Sequence, residues 1–304
     1  MADNLQTYRR RIRSTRSMAK ITHAMELIAA SRITRARQQV AASTPYAREI
    51  TRAISAAAGN STVDHPLLTE AENPRRSAVL LVTSDRGLAG AYSANVLKEG
   101  ESLTGLLTEQ GKEIQPYVSG RKGIAWFEFR GREVAGSWEG FSERPTYADA
   151  QQVGRTLIDA FLQPTDEGGV DEIHIVYTEF LSMLSQRPDV RRILPLEVEE
   201  VEETEESSAA GSPLYEFEPS ADEVLEALLP RYVQARIYNA MLQAAASEQA
   251  SRQRAMKAAT DNANDMVTTL TRLQNQARQA QITQEISEIV GGANALAEAN
   301  AGSE

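Results

Sequence analysis

The sequence predicts an α plus α/β architecture, in which the two ends of the chain form a long antiparallel helical coiled coil around an inserted α/β domain. Three observations predict it. First, from Arg231 to about Ala297 there is no proline, no glycine before Gly291, and a dominance of Ala, Gln, Arg, Met and Leu, all strong helix formers. A single helix over this stretch would be about 100 Å long. A helix of that length points to a coiled coil, a membrane span or a repeat, and this one is too polar for a membrane. Second, the chain from Leu5 to Pro45 also lacks proline and glycine, and helical composition resumes to about Ala58. Third, strand-like and helix-like segments alternate between these two stretches, the pattern of a parallel α/β sheet.

Taken in order, residues 1–58 form the N-terminal helix of the coiled coil. Leu5, Tyr8 and Ile12 lie at 3/4 spacing, as do Ala29, Ile33, Ala36 and Val40. Ile21, Met25 and Ile28 form an offset second stripe. A two-stranded coiled coil needs one seam, so either a second neighbour covers this helix or its core face is wide. Pro45 removes one ladder bond and should kink or loosen the helix. Residues 59–74 are a linker punctuated by Gly-Asn-Ser, His65-Pro66 and Asn73-Pro74.

Residues 75–219 form the α/β domain. Ser77–Thr83 (SAVLLVT) reads as a buried strand, followed by a turn over Asp85–Gly90 and a helix from about Tyr92 to Gln110. Ile114–Ser119 reads as a second strand, Arg121–Phe129 as helix, and Glu133–Ser137 as a short third strand. Thr146–Leu162 is amphipathic, with Ala150, Val153, Leu157, Ile158 and Phe161 on one side. Glu172–Thr178 (EIHIVYT) is a strong strand, and Ile193–Val198 is a further candidate. The result is a Rossmann-like α/β domain. Two segments read as surface insertions: the turn-rich 163–171, and 197–206, where seven glutamates in ten residues repel one another.

Residues 220–304 complete the coiled coil. Ala221–Leu229 reads as a short helix, and Pro230 suits the first turn of the long one. Its seam is rich in alanine (Ala240, Ala244, Ala255, Ala258, Ala259, Ala277, Ala280), which lets helix axes approach closely. A stutter in the spacing between Asn262 and Leu273 should relax the supercoil. The C-terminal helix should overhang its partner by on the order of ten residues, or about 15 Å. That overhang carries Ile282, Ile286, Ile289, Ala293 and Leu296 at coiled-coil spacing. An uncovered apolar patch of this kind marks an interaction site.

Composition narrows the chemistry. There is no cysteine, hence no disulfide, thiol nucleophile or thiolate metal site. The three histidines, His23, His65 and His174, are too far apart in sequence for a local metal motif. The longest apolar run, Ala78–Val82, is too short to span a membrane. The net charge of −10 conceals a polarity. Residues 1–58 hold eleven Lys/Arg against three Asp/Glu (+8), residues 231–304 hold seven of each (0), and the middle is therefore −18. The basic N-terminal helix has few aromatic residues for base stacking, so a solvated or partner-facing helix explains it better than nucleic-acid binding. The phosphate loop Gly-x-x-x-x-Gly-Lys-Ser/Thr is absent, and Asp85–Gly90 does not have the dinucleotide pattern. Catalytic, cofactor and metal residues are accordingly assigned to none.

Four stretches are more specific. Met18 to Ser31 (MAKITHAMELIAAS) closely resembles the N-terminal helix of the bacterial-type gamma subunits of F-type ATP synthases. Ala255 to Asn262 (AMKAATDN) and Ala277 to Gly291 (ARQAQITQEISEIVG) resemble its C-terminal helix, and Thr83 to Gly90 (TSDRGLAG) the first turn of its α/β domain. The resemblance runs the length of the chain, in order. It implies a central-stalk rotor with no active site of its own, working in ATP synthesis and hydrogen-ion transport. The implied partners are the alpha and beta subunits of the F1 hexamer, the epsilon subunit and the c ring. The implied place is the cytoplasmic face of the cell membrane, reached only through the complex. It also implies rotor–stator contacts at Met25, Arg86, Arg252, Arg278, Gln279, Thr283 and Glu285, and an apolar bearing tip at Ile282, Ile286, Ile289 and Leu296. The plant members' regulatory cysteine pair has no counterpart here. Loops 163–171 and 197–206 exceed the minimal family pattern, and one of them is expected to brake ATP hydrolysis.

Overall fold

A computed structural model describes residues 2–60, 67–196, 218 and 220–301, without the side chains of residues 2–4, 55, 58–60, 221 and 295–301. The acidic run 197–206 and the side chain of Leu296 therefore lie outside the described residues. The chain divides into two compact units, residues 29–252 and residues 1–28 with 253–304.

Helix α1 (Ala2–Asn60) is followed by β1 (Arg76–Val82), α2 (Tyr92–Glu109), β2 (Glu113–Ser119), α3 (Arg121–Phe129), β3 (Gly136–Trp138), α4 (Tyr147–Leu162), β4 (Glu172–Phe180), β5 (Gln186–Leu194) and α5 (Ala221–Ala301). In the 29–252 unit the strands make one sheet in the order β3-β2-β1-β4-β5. The first four pair in parallel, while β5 returns antiparallel to β4. The last strand thus begins seven residues before the expected Ile193. Its sequence QRPDVRR hides it: a proline and three arginines are unfit for a central strand but suit an exposed edge.

Alternation along β1 sends its side chains to two cores, as period-2 geometry requires. Ala78, Leu80 and Val82 face α4, the inner part of α5 and Ile50, Ile54 and Ala57 of α1. Val79 and Leu81 face α2 and α3, meeting Val96, Leu97, Leu103, Leu107 and Phe127. At Gly120 (φ +103) an added Cβ would lie 2.4 Å from the Thr83 carbonyl oxygen, so only glycine fits where the β2–α3 turn crosses the end of β1. Helix α4 starts with a reciprocal cap. Asp149 N–H donates to Thr146 Oγ1, and Thr146 N–H donates to the Asp149 carboxylate.

Pro230 does not open the long helix; α5 is already helical from Ala221. Leu225, Leu229 and Val233 are fully buried around the proline, and their packing outweighs the single ladder bond it removes. Pro45 likewise lies within α1. Segment 163–171 is a tied corner at the sheet's amino-terminal edge. Arg76 Nη1 donates to the carbonyls of Thr165 and Gly169, and Thr165 Oγ1 donates to Asp171. Beside it, buried Glu172 accepts from Lys112 Nζ at 2.7 and 2.8 Å and from Ser77 Oγ at 2.9 Å.

The second unit is an antiparallel helix pair. Thr22 and Thr260 hydroxyls meet at 2.7 Å, and Thr15 Oγ1 lies 3.9 Å from Met266 Sδ. On α5 the seam runs through Met256, Thr260, Ala263, Val267, Leu270, Gln274, Ala277 and Gln281, all buried or half-buried. That is unbroken 4/3 spacing through the region where apolar residues alone suggested a stutter. Inside that region the seam is apolar (Ala263, Val267, Leu270), and the polar seam residues Thr260 and Gln274 stand just outside its two ends. On α1 the seam is Leu5, Tyr8, Ile12, Thr15, Ala19, Thr22 and Glu26. The offset stripe stays open, with Ile21 and Ile28 exposed, so the wide-core alternative does not hold.

Candidate functional site

Two places in the molecule are built for more than folding. The first lies in the 29–252 unit. An open parallel sheet takes its ligand outside the strand carboxyl ends, where strand order reverses. Here that point lies between β1 and β4, and the chain's own helix fills it. Ser247 Oγ donates to the Thr178 carbonyl at 3.0 Å, and Phe180 N–H donates to Gln243 Oε1 at 3.1 Å. Arg252 Nη2 donates to Glu248 Oε1 at 2.6 Å and approaches the carbonyls of Arg86 and Gly87 at 3.4 Å. Its Nη1 is 3.2 Å from Glu143 Oε1, an ion pair without hydrogen-bond geometry.

Glu248 has no exposed side-chain surface, and its second carboxylate oxygen has no hydrogen-bond partner. Burial pushes its carboxyl up to about 7, against the pull of Arg252. Tyr92, enclosed nearby, is pushed well above the usual phenol range by burial and then by the Glu248 charge. Asp85 behaves oppositely. Burial raises its carboxyl, but N–H donors of Ser142, Gly140 and Arg121 outweigh burial and hold it below the ordinary range. Asp85 therefore turns inward and fastens the β3–α4 loop and the start of α3 to the turn after β1.

The second place is the surface of the helix pair. The Thr15–Met266 and Thr22–Thr260 contacts, continued residue for residue, bring Ala2 opposite about Gln279. Among the described residues the helix beyond, to Ala301, has no partner strand, roughly twice the expected overhang. Ile282 is 46% exposed, Ile286 56% and Ile289 72%, and Val290 is also exposed. Met18, Ile21 and Ile28 add an uncovered apolar stripe on α1. Such area on a protein surface marks a binding face.

The expected contact residues fall in four places. Arg278, Gln279, Thr283 and Glu285 are exposed beside the isoleucines. Thr283 Oγ1 donates to the Gln279 carbonyl at 3.0 Å, and Glu285 accepts from Gln281 Nε2 at 2.9 Å. Met25 is half-buried and, by the antiparallel pairing, lies about 30 Å along the helix from that cluster. Arg86 is exposed, with Nη1 3.6 Å from Glu143. Arg252 is different: it is only 5% exposed, and its guanidinium is engaged inside the 29–252 unit. Glu143, Glu248 and Arg32 were not singled out from the sequence. Glu248 had a signal, since it continues the buried stripe Ile237, Met241, Ala244 at 4/3/4 spacing. A carboxylate on a core face must be paired. Glu143 had no signal, because only the folded loop brings it to arginines far away in sequence.

Comparison with known proteins is consistent along the whole chain. A family model described as ATP synthase matches residues 4–296. The ATP synthase gamma chain of Thermobifida fusca is 64% identical over 100% of both chains. That of Acidothermus cellulolyticus is 66% identical over 97% of this chain and 98% of its own. Among solved structures, a chain of the Euglena gracilis mitochondrial ATP synthase OSCP/F1/c-ring assembly aligns with a TM-score of 0.61 at 15% identity, covering 97% of this chain and 95% of that one. A chain of the Tetrahymena thermophila mitochondrial ATP synthase central stalk/c-ring aligns at 0.56 and 20%, covering 79% and 99%. At these identities the two structures share the fold.

Proposed function

The chain belongs to the family of ATP synthase gamma chains, and from that premise we propose how its two units work as the central-stalk rotor of an F1Fo ATP synthase. It is a non-catalytic subunit; the complex is the enzyme. Rotation of the c ring turns the chain, and the turning helix pair drives the beta subunits through their conformational cycle. The epsilon subunit and the c ring hold the α/β unit, and the alpha and beta subunits surround the helix pair. The complex sits on the cytoplasmic face of the cell membrane and carries hydrogen ions. None of the described helices is long and apolar enough to cross a membrane, so the membrane is reached through other subunits.

The observation that carries this reading is the uncovered apolar surface of the helix pair, on a chain related to gamma chains over its full length. The isoleucines Ile282, Ile286 and Ile289, with Leu296, form the bearing tip. Arg278, Gln279, Thr283 and Glu285 form the catch at its base, with Met25 and Arg86 as separate contacts. A rotating partner shifts each catalytic site only by the difference in contact energy between its positions. Two helices of unequal length and charge supply that difference. Arg252 serves from inside, by holding the turn that carries Arg86.

The test is reconstitution. Adding the chain to a complex lacking its gamma chain should restore ATP hydrolysis and ATP-driven proton pumping in inverted membrane vesicles. The chain alone should hydrolyse nothing. Hydrolysis by the chain alone, or failure to restore pumping, would reject the reading. Removing segment 163–171 or 197–206 in the same assay tests the proposed brake: one deletion should raise hydrolysis, and no change in either would exclude it.

A further inference from the structure

One carboxylate in the α/β unit is shared among three arginines from three separate elements. Glu143, in the loop between β3 and α4, has a side chain only 16% exposed. Its Oε2 accepts from Arg32 Nη1 of α1 and lies 3.6 Å from Arg86 Nη1 in the turn after β1. Its Oε1 faces Arg252 Nη1 of α5 at 3.2 Å. The loop bearing it is rigidly based. Gly140 and Ser142 N–H both donate to Asp85 at 2.9 Å, and Ser142 Oγ accepts from Asp85 N–H at 2.9 Å.

We propose that Glu143 is a positioning residue for rotary coupling, one that clamps both long helices to the sheet. The inference rests on the rotor reading above. The place is mechanically apt. Arg32 stands on one long helix and Arg252 on the other, so one carboxylate on the β3–α4 loop ties both helices to the turn after β1. The chemistry is also poor as simple glue. Partly buried ion pairs seldom stabilise a fold more than apolar packing would, and α5 uses apolar packing about two to three turns earlier, at Ala244 and Met241. Ionic hydrogen bonds are directional instead. They resist sliding and twisting of one element past another, which apolar side chains tolerate more readily. A rotor driven from one end needs that resistance.

The test uses the whole complex in inverted vesicles, with gamma-chain incorporation measured in every sample. Glu143→Gln keeps the shape and removes the charge; Glu143→Asp keeps the charge on a shorter arm; Arg32→Gln removes one tie and leaves the carboxylate paired with Arg252. Glu143→Gln should keep ATP hydrolysis but lower the protons pumped per ATP. Glu143→Asp should recover part of that ratio. The double variant Glu143→Gln/Arg32→Gln should be no worse than Glu143→Gln alone. Hydrolysis and pumping falling in proportion, a ratio unchanged in Glu143→Gln, or additive losses in the double variant would each overturn the proposal. If Glu143→Gln does not assemble, Arg32→Gln decides: a lowered ratio supports the clamp and a normal one overturns it. Wild-type chain is the control for the rotor reading. Failure of the wild type to restore pumping rejects both, whereas failure confined to the variants' predicted pattern rejects the clamp alone.

Discussion

The α/β unit and the helix pair bury their side chains by different means. In the α/β unit a central strand is covered on both faces, and Leu80, Leu157, Ile173, Ile175 and Ile237 are essentially inaccessible. In the helix pair a single seam holds two helices together, mixing small and polar residues (Ala19, Thr22, Thr260, Ala263) with a few larger ones (Ile12, Met256, Leu270), while Met18, Ile21, Ile28, Ile286 and Ile289 point outward. One unit has a core sufficient for itself. The other keeps apolar surface in reserve for other proteins. Stability should therefore be concentrated in residues 29–252 and function in the exposed face of the pair.

Substitutions should separate the two, and the largest effect belongs to the sheet. Leu80→Ala should cost about 2–5 kcal/mol in chemical unfolding, because the cavity lies under packed helices and cannot collapse. A loss below about 1 kcal/mol would mean the core is looser than its burial implies.

Next is the pH dependence of buried Glu248. Its carboxyl titrates near 4.5 unfolded and about 7 folded. The unfolded chain gives up that proton first, so the group's contribution is complete below about 4.5 and is lost as pH rises through about 7. Relative to Glu248→Gln, the wild type should lose on the order of 3 kcal/mol across that window and then level off. Thermal unfolding of both proteins from pH 4 to 8 reads the difference. A flat difference would show that the fold does not raise the Glu248 carboxyl above its unfolded value, the pull of Arg252 offsetting burial.

A smaller loss is expected in the seam. Leu270→Ala should cost about 1–2 kcal/mol, since a two-helix seam has few neighbours to leave a cavity. The least effect on stability is expected at the bearing tip. Ile289→Ser should change unfolding by less than about 0.5 kcal/mol, while lowering ATP-driven pumping by the complex. A stability loss like that of Leu80→Ala would erase the contrast between the units.

Much of the fold was legible because it depends on local pattern. Absence of proline and glycine marked both long helices, and the apolar run 78–82 marked the central strand. Polar seam residues were harder to see. Thr260 and Gln274 carry the seam on either side of the expected stutter, where a hydrophobic criterion has nothing to count, and Arg187, Arg191 and Arg192 disguise an edge strand. Pro230 was misread because burial of Leu225, Leu229 and Val233 is a tertiary effect. In the candidate site, the outward isoleucines followed from spacing together with the want of a partner helix. Arg252 reads in sequence as one more surface arginine. Only the fold encloses it with Glu248 and Glu143, the latter from a loop 109 residues away.

The central claim is that the exposed end of α5 is bare in the chain and covered in the complex. The sequence contains no cysteine, so a single Ile286→Cys gives a unique thiol at the bearing tip. Its maleimide labelling rate should match an open thiol in the isolated chain and fall steeply once the chain is assembled with the alpha and beta subunits. Equal rates in the free chain and an active complex would contradict the account.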